Sequence, residues 1–120
     1  MPRIPKILQK DGVTIISFGR EFENIENADT KAIGAVLAAA LKKSELAHLG
    51  IDLSHTSTCC SMFMGQLIRA WGRLKKSGGT RFGLIGLSDE MREILTATQL
   101  DELWEQFDSR EQLVEEFSTD

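Results

Sequence analysis

The chain has 120 residues, the length of one ordinary domain, and its 42% hydrophobic and 27% charged content excludes disordered, fibrous and collagen-like classes. Its 14 Lys and Arg against 18 Asp and Glu give a net charge of −4, which argues against a chain built to neutralise nucleic-acid phosphates. No apolar stretch of signal-peptide type follows Met1-Pro2-Arg3-Ile4-Pro5-Lys6, and no run approaches the roughly 18 apolar residues of a membrane span. The two cysteines, Cys59 and Cys60, are adjacent, a spacing that disfavours a relaxed disulfide. A cytoplasmic protein without membrane attachment is the expectation.

From the N-terminus, Ile4 to Leu8 reads as a short edge strand weakened by Pro5. After the turn signal Asp11-Gly12, the β-branched run Val13-Thr14-Ile15-Ile16-Ser17-Phe18 predicts a second strand. Ile33, Val36, Leu37, Ala40 and Leu41 then share one helical face, with Asn27 or Asp29 as N-cap and an end near Ser44. His48 to Leu53 is the next strand. A second helix runs from about Ser61 to Ser77, striped by Met64, Leu67, Ile68, Trp71 and Leu74 and stopped by Gly78-Gly79. Arg81 to Leu87 predicts a strand. Ser88 caps a short helix with Asp89 and Glu90 at its positive end and Met91, Ile94 and Leu95 on its buried side. Leu103 to Phe107 is a last strand, and Ser109-Arg110-Glu111-Gln112 matches a capping box ahead of Leu113, Val114 and Phe117. The order ββαβαβαβα predicts a single α/β domain over 1–120, with a mostly parallel central sheet and helices packed against it.

A catalytic reading would join the thiols of Cys59 and Cys60 to His48 or His55, with Asp52 as orienting group. The thiols lie between a strand end and a helix start, where a small buried cysteine is common, and no second cluster supports them. Adjacent cysteines also lack the two-residue gap of a metal-binding pair. Neither a phosphate-cradling glycine motif nor a nucleophile elbow is present. No catalytic residue, metal or cofactor is therefore predicted. Charge is polarised along the chain. Arg69, Arg73, Lys75, Lys76 and Arg81 form a basic stretch, whereas from Gln99 onward eight acids face the single Arg110. Such polarity suits a solvated surface or an oriented protein partner. Trp71 sits on the apolar stripe, so no stacking platform for nucleic acid accompanies the bases.

The polar run Ser54-His55-Thr56-Ser57-Thr58 leads through Cys59-Cys60 into Ser61 and then Met62-Phe63-Met64. At a helix start, the Ser61 hydroxyl can satisfy free backbone N–H groups, and the same place favours a phosphoserine. Three consecutive bulky apolar residues cannot all face one core on a helix. At least one should be exposed, as a partner contact.

From Gly12 to Phe117 the chain resembles a STAS domain, the family of bacterial anti-sigma factor antagonists. The resemblance rests on Gly19, on Ile51-Asp52-Leu53-Ser54, and on Ser61 opening a helix that carries Gly65. It continues through Gly78-Gly79 before Arg81, then Ser88, Ile94-Leu95 and Leu100. It implies a four-helix α/β domain whose partner surface surrounds the start of the second helix. Members carry Asp-Ser-Ser-Gly there; the first serine is phosphorylated by an anti-sigma factor kinase, which the unphosphorylated form captures. The matching tetrapeptide is Cys60-Ser61-Met62-Phe63, so the resemblance makes Ser61 the phosphoacceptor and Cys60, Ser61, Met62, Phe63 and Gly65 the partner-binding residues. Cys60 replaces the acid, Met62 the second serine and Phe63 the glycine, which alters the electrostatics on which phosphoryl transfer relies. The implied role is a non-catalytic regulatory module in signal transduction and transcription, binding an anti-sigma factor kinase or another signalling protein. The alternatives are an unphosphorylated scaffold or sensor subunit that self-associates, and a cysteine-dependent enzyme.

Overall fold

Alternation along the strands decides which side of the sheet each helix covers. The structure is a computed structural model that describes residues 3–43, 48–76 and 81–118. Its elements in chain order are β1 (Lys6–Lys10), β2 (Val13–Ser17), β3 (Asn24–Ile25), α1 (Asn27–Lys43), β4 (His48–Asp52) and β5 (Thr58–Cys59). They continue with α2 (Ser61–Lys76), β6 (Arg81–Ile85), α3 (Asp89–Ala97), β7 (Glu105–Phe107) and α4 (Arg110–Ser118). Short 3-10 turns cover Arg20–Phe22 and Leu100–Glu102. The main sheet has the order β1-β2-β4-β6-β7. Only the β1–β2 pairing is antiparallel; β2–β4, β4–β6 and β6–β7 are parallel. Asp11 and Gly12, with φ of 52° and 80°, make the two-residue turn whose left-handed backbone matches strand twist.

Ile16, Phe18, Leu49, Ile51, Phe82 and Leu84 point to one face and share a core with α1, α2 and α3. Val13, Ile15 and Ile85 point to the other, where Leu113, Val114 and Phe117 of α4 cover them. Every residue of β4 is buried, as expected of a central parallel strand with helices on both sides. Gly50 and Gly83 pair directly across β4 and β6, beneath α4. A Cβ would stand 3.0 Å from Leu113 Cδ1 at Gly50, and 2.8 Å from it at Gly83, with Phe117 Cζ at 2.9 Å. Two adjacent hydrogens thus let α4 seat its leucine and phenylalanine against the sheet.

The expected order is present, with local corrections. β1 begins at Lys6, after Pro5 rather than across it, because proline has no N–H to give to the ladder. Neither Asn27 nor Asp29 is the N-cap of α1. Asp29 lies inside the first turn, accepts the Glu26 N–H at 3.0 Å, and is held by Arg3 (Nη2–Oδ2 2.6 Å). The hydrogen bond from Arg3 keeps the Asp29 carboxyl below the usual range against the opposing effect of burial. β6 stops at Ile85 rather than Leu87, since Gly86 turns away with φ of 68° and passes against Ser54. Leu103 is exposed and Trp104 buried in a turn, so the last strand holds only Glu105–Phe107. In α4, Ser109 accepts the Gln112 N–H at 3.2 Å, and Gln112 returns to the Asp108 N–H at 3.1 Å, one residue upstream of a reciprocal capping box. Ser44 and Gly78-Gly79 lie outside the described residues. Periodicity had not revealed β3 and β5, two residues each, which pair in parallel outside the main sheet.

Arg81 belongs to the basic stretch in sequence but turns to the acidic segment in space. It pairs with Glu105 and Glu116 and lies over the Phe117 ring at 4.6 Å. The bases left exposed on α2 are Arg69, Arg73, Lys75 and Lys76.

Candidate partner-binding site

The chain leaves the C-terminal end of β4 through Leu53, whose N–H donates to Ile85 O at 3.0 Å. Asp52, the last residue of β4, is buried. Its carboxylate accepts from the Ser54 N–H at 3.0 Å, from Ser54 Oγ at 2.5 Å and from the Arg110 guanidinium. Burial alone would raise the Asp52 pKa, but these bonds from Ser54 and Arg110 outweigh it and bring the carboxyl below its usual range. Arg110 also donates to Ser17 Oγ at 2.6 Å, so one guanidinium ties the start of α4 to β2 and β4.

The loop that follows is fastened from two sides. Ser57 and Thr58 N–H groups donate to Glu23 O at 2.7 and 3.3 Å, and Cys60 N–H to Ile25 O at 2.9 Å. From the other side Ser88 Oγ donates to Ser57 O at 2.8 Å while accepting the Met91 N–H at 3.1 Å, capping α3 and holding the loop together. α2 therefore starts at a defined place. Cys60 occupies the position before the helix and Ser61 is its first residue, exposed. No acid lies in the first turn, while Arg73, Lys75 and Lys76 lie in the last. The positive pole of the helix at Ser61 therefore meets no acid from its own first turn.

The Met62-Phe63-Met64 triplet divides as helix geometry requires. Met62 is 55% exposed, whereas Met64 is buried and Phe63 has no exposure. Phe63 instead packs edge-on to Phe18 at 5.5 Å between ring centroids, deep in the larger core. Its assignment as a partner contact is therefore corrected: a large apolar residue in the glycine's place turns inward. Ser61, Gly65 and Ile68, spaced i, i+4 and i+7, form one exposed line, with Met62 beside it. That line borders a groove of about 460 Å³ between α2 and α3, closed by Cys60, Met64, Ile94 and Leu100. A Cβ at Gly65 would meet nothing within 4 Å, so packing inside the chain does not demand glycine there.

The thiol, imidazole and carboxylate of the catalytic reading are not brought together. The Cys59 thiol is pushed up to about 11, by burial first and then by neighbouring Cys60 and Glu90, the opposite of an activated nucleophile. His48 packs against Phe117 at 5.5 Å, on the α4 side of the sheet. His55 lines a separate groove with Arg110, and Asp52 is committed to Ser54 and Arg110. Among the described residues no group of three His, Cys, Asp or Glu could hold a metal ion, and no helix is long and apolar enough to cross a membrane. Sequence reasoning had overlooked Arg110 as anything but a lone base. Its solitary place among eight acids was the available signal.

No family model and no curated protein sequence matches the chain. Solved structures do match. An anti-sigma factor antagonist (STAS) domain protein from Planctomyces limnophilus superposes with a TM-score of 0.89, at 24% identity over 97% of this chain and 99% of that one. An anti-sigma factor antagonist from Mycobacterium paratuberculosis gives 0.78 at 21% identity, over 97% and 93% of the two chains. SpoIIAA, an anti-sigma factor antagonist in its unphosphorylated form, gives 0.69 at 17% identity, over 93% and 94%. The chain has the mixed α/β STAS fold of these antagonist structures along almost its entire length, as the order of its elements and glycines predicts.

Proposed function

We propose that this protein is a non-catalytic regulatory module that captures an anti-sigma factor kinase through the start of α2, in a bacterial cytoplasm. The observation that carries the reading is the exposed line of Ser61, Met62, Gly65 and Ile68 beside an apolar groove, on a fold shared with anti-sigma factor antagonists. Met62 and Ile68, 55% and 44% exposed, supply the apolar contact. Ser61 is the phosphoacceptor. A phosphate there would carry a charge of roughly −2 and lie at the positive pole of α2, whose first turn holds no acid, so the helix stabilises it. The same charge would stand at the mouth of an apolar groove, so phosphorylation releases the partner. Cys60, where the resemblance calls for an acid, favours a second reading in which the partner docks on the same line without a phosphoryl switch.

The test combines a purified ATP-binding anti-sigma kinase with the protein, followed by phosphopeptide mapping of tryptic fragment 44–69. Phosphate on Ser61, and loss of capture in Ser61→Asp and Met62→Glu, are the expected results. Capture that needs Met62 but leaves Ser61 unmodified selects the second reading. Full capture by Met62→Glu refutes the surface itself.

A further inference from the structure

The face of the sheet that carries α4 is only partly covered. α4 packs over β2, β4, β6 and β7, and it is the only helix on that face among the described residues. All five residues of β1 are exposed. Register places Lys6, Leu8 and Lys10 on this side, because they pair with Ser17, Ile15 and Val13, and the last two belong to the α4 core. Between β1 and α4 runs a groove of about 240 Å³ lined by Leu8, Ile15 and Val114. Through Leu8 and Arg110, which both grooves share, it continues into a larger one of about 670 Å³ edged by Ile4, Lys6 and Arg20. Ile4 is 59% and Leu8 38% exposed, so the strip presents real apolar surface.

Its charge is unlike that of the molecule. Lys6, Lys10 and Arg20 surround the strip without an ion-pair partner among the described residues, whereas Arg3 and Arg110 are held by Asp29 and Asp52. The acids along it are Glu21 and Glu111. We propose that this strip docks an amphipathic helix from a different protein, with an acidic flank on the side facing β1 and away from Glu111. Such a helix would lie beside α4 and cover β1 and β2 as α4 covers the centre of the sheet. Its apolar ridge would meet Ile4, Leu8 and Val114, and its acids would meet Lys6, Lys10 and Arg20.

Neither α4 nor α2 of a second copy fits the strip. The exposed face of α4 carries Glu111, Gln112 and Glu115 without a large apolar residue. On α2 the exposed Met62 and Ile68 are accompanied by Arg69 and Arg73, which would oppose the strip's own bases. Pairing β1 with β1, antiparallel and centred on Leu8, would set Lys6 opposite Lys10. Charge complementarity thus favours an occupant with acids where this chain has bases. Because α2 packs on the opposite face of the sheet, both surfaces can be filled together.

The probe is a fluorescein-labelled synthetic amphipathic helix, leucine along one ridge, glutamate on one flank and neutral glutamine on the other, titrated against the full chain by fluorescence anisotropy. A companion peptide replaces every glutamate with lysine. The glutamate peptide binds and weakens with added salt, and binding falls roughly tenfold or more in Leu8→Glu and in the double variant Lys6→Glu/Lys10→Glu. Ser61→Asp leaves it unchanged, which separates this surface from the start of α2. Circular dichroism of each variant confirms that it folds. Equal binding of the two peptides, no binding at millimolar peptide, or sensitivity to Ser61→Asp but not to Leu8→Glu overturns the proposal. So does tighter binding to phosphatidylserine vesicles than to the glutamate peptide, or Leu8-dependent self-association by light scattering.

Discussion

Gly65→Ala separates what the fold requires from what a partner requires. Gly65 is exposed within α2, and a Cβ built on it meets no atom within 4 Å. Glycine inside a helix is about 1 kcal/mol less favourable than alanine, because it has more backbone freedom to lose. The substitution should therefore stabilise the domain by about 1 kcal/mol. Unfolding entropy is roughly 2.1 cal/mol/K per residue near the transition, so a chain of this length should gain about 4 °C in Tm. The same methyl group projects into the line of Ser61 and Ile68, where it should weaken the partner binding proposed for the start of α2. A thermal melt followed by circular dichroism gives the first quantity, and a binding titration gives the second. A lowered Tm refutes the reading that nothing inside the chain needs this glycine. A raised Tm with unchanged affinity refutes its part in docking.

Gly83→Ala should act in the opposite sense, since its methyl would collide with Leu113 and Phe117; a loss of about 1–3 kcal/mol in urea unfolding is expected. Phe63→Ala should remove about 3–5 kcal/mol from the core, while Met62→Ala should stay within about 0.5 kcal/mol, and equal effects in the same assay would contradict the split of the triplet. Asp52 has a lowered folded-state pKa, so its contribution to stability is complete above the ordinary carboxylate pKa and disappears as pH falls through the folded value. Asp52→Asn should therefore flatten the acid limb of a plot of urea midpoint against pH, and an unchanged limb would contradict the network with Ser54 and Arg110. Thr56 is buried and its Oγ1 has no hydrogen-bond partner among the described residues, so Thr56→Val should raise the unfolding free energy in urea by about 1 kcal/mol, whereas a fall would show that the hydroxyl is satisfied.

The legible parts of the chain were those in which one residue pattern answers to one environment. Met64, Leu67 and Leu74 share the buried face of α2, and Ser88 both announces and caps α3. Residue pattern marked β2 and β6 as strands, although it could not say that α4 would cover one of their two faces. That follows from Gly50 and Gly83 lying side by side, a fact of strand order that periodicity does not contain. β3 and β5 were hidden because two-residue ladders leave no period to read, and Phe63 was misplaced because one position of a helix start decides between core and solvent. Ser61 and Gly65 were recognisable from the resemblance; the groove beside them needed Ile94 and Leu100, which arrive from a different element. Arg110 is the plainest omission. Its partners Asp52 and Ser17 are 58 and 93 residues away, and nothing local in the sequence links them.

The bonds from Ser57 to Glu23, from Cys60 to Ile25 and from Ser88 to Ser57 have a thermodynamic consequence for recognition. The approach to α2 is already ordered before anything binds, so association does not have to freeze a disordered loop, whose ordering would oppose binding by about 1–2 kcal/mol per residue. The complex proposed at Ser61 should then carry no heat-capacity contribution from folding of this loop. A phosphate on Ser61 would likewise act on a preorganised site. It would alter the potential that a partner meets while leaving the backbone where it stands.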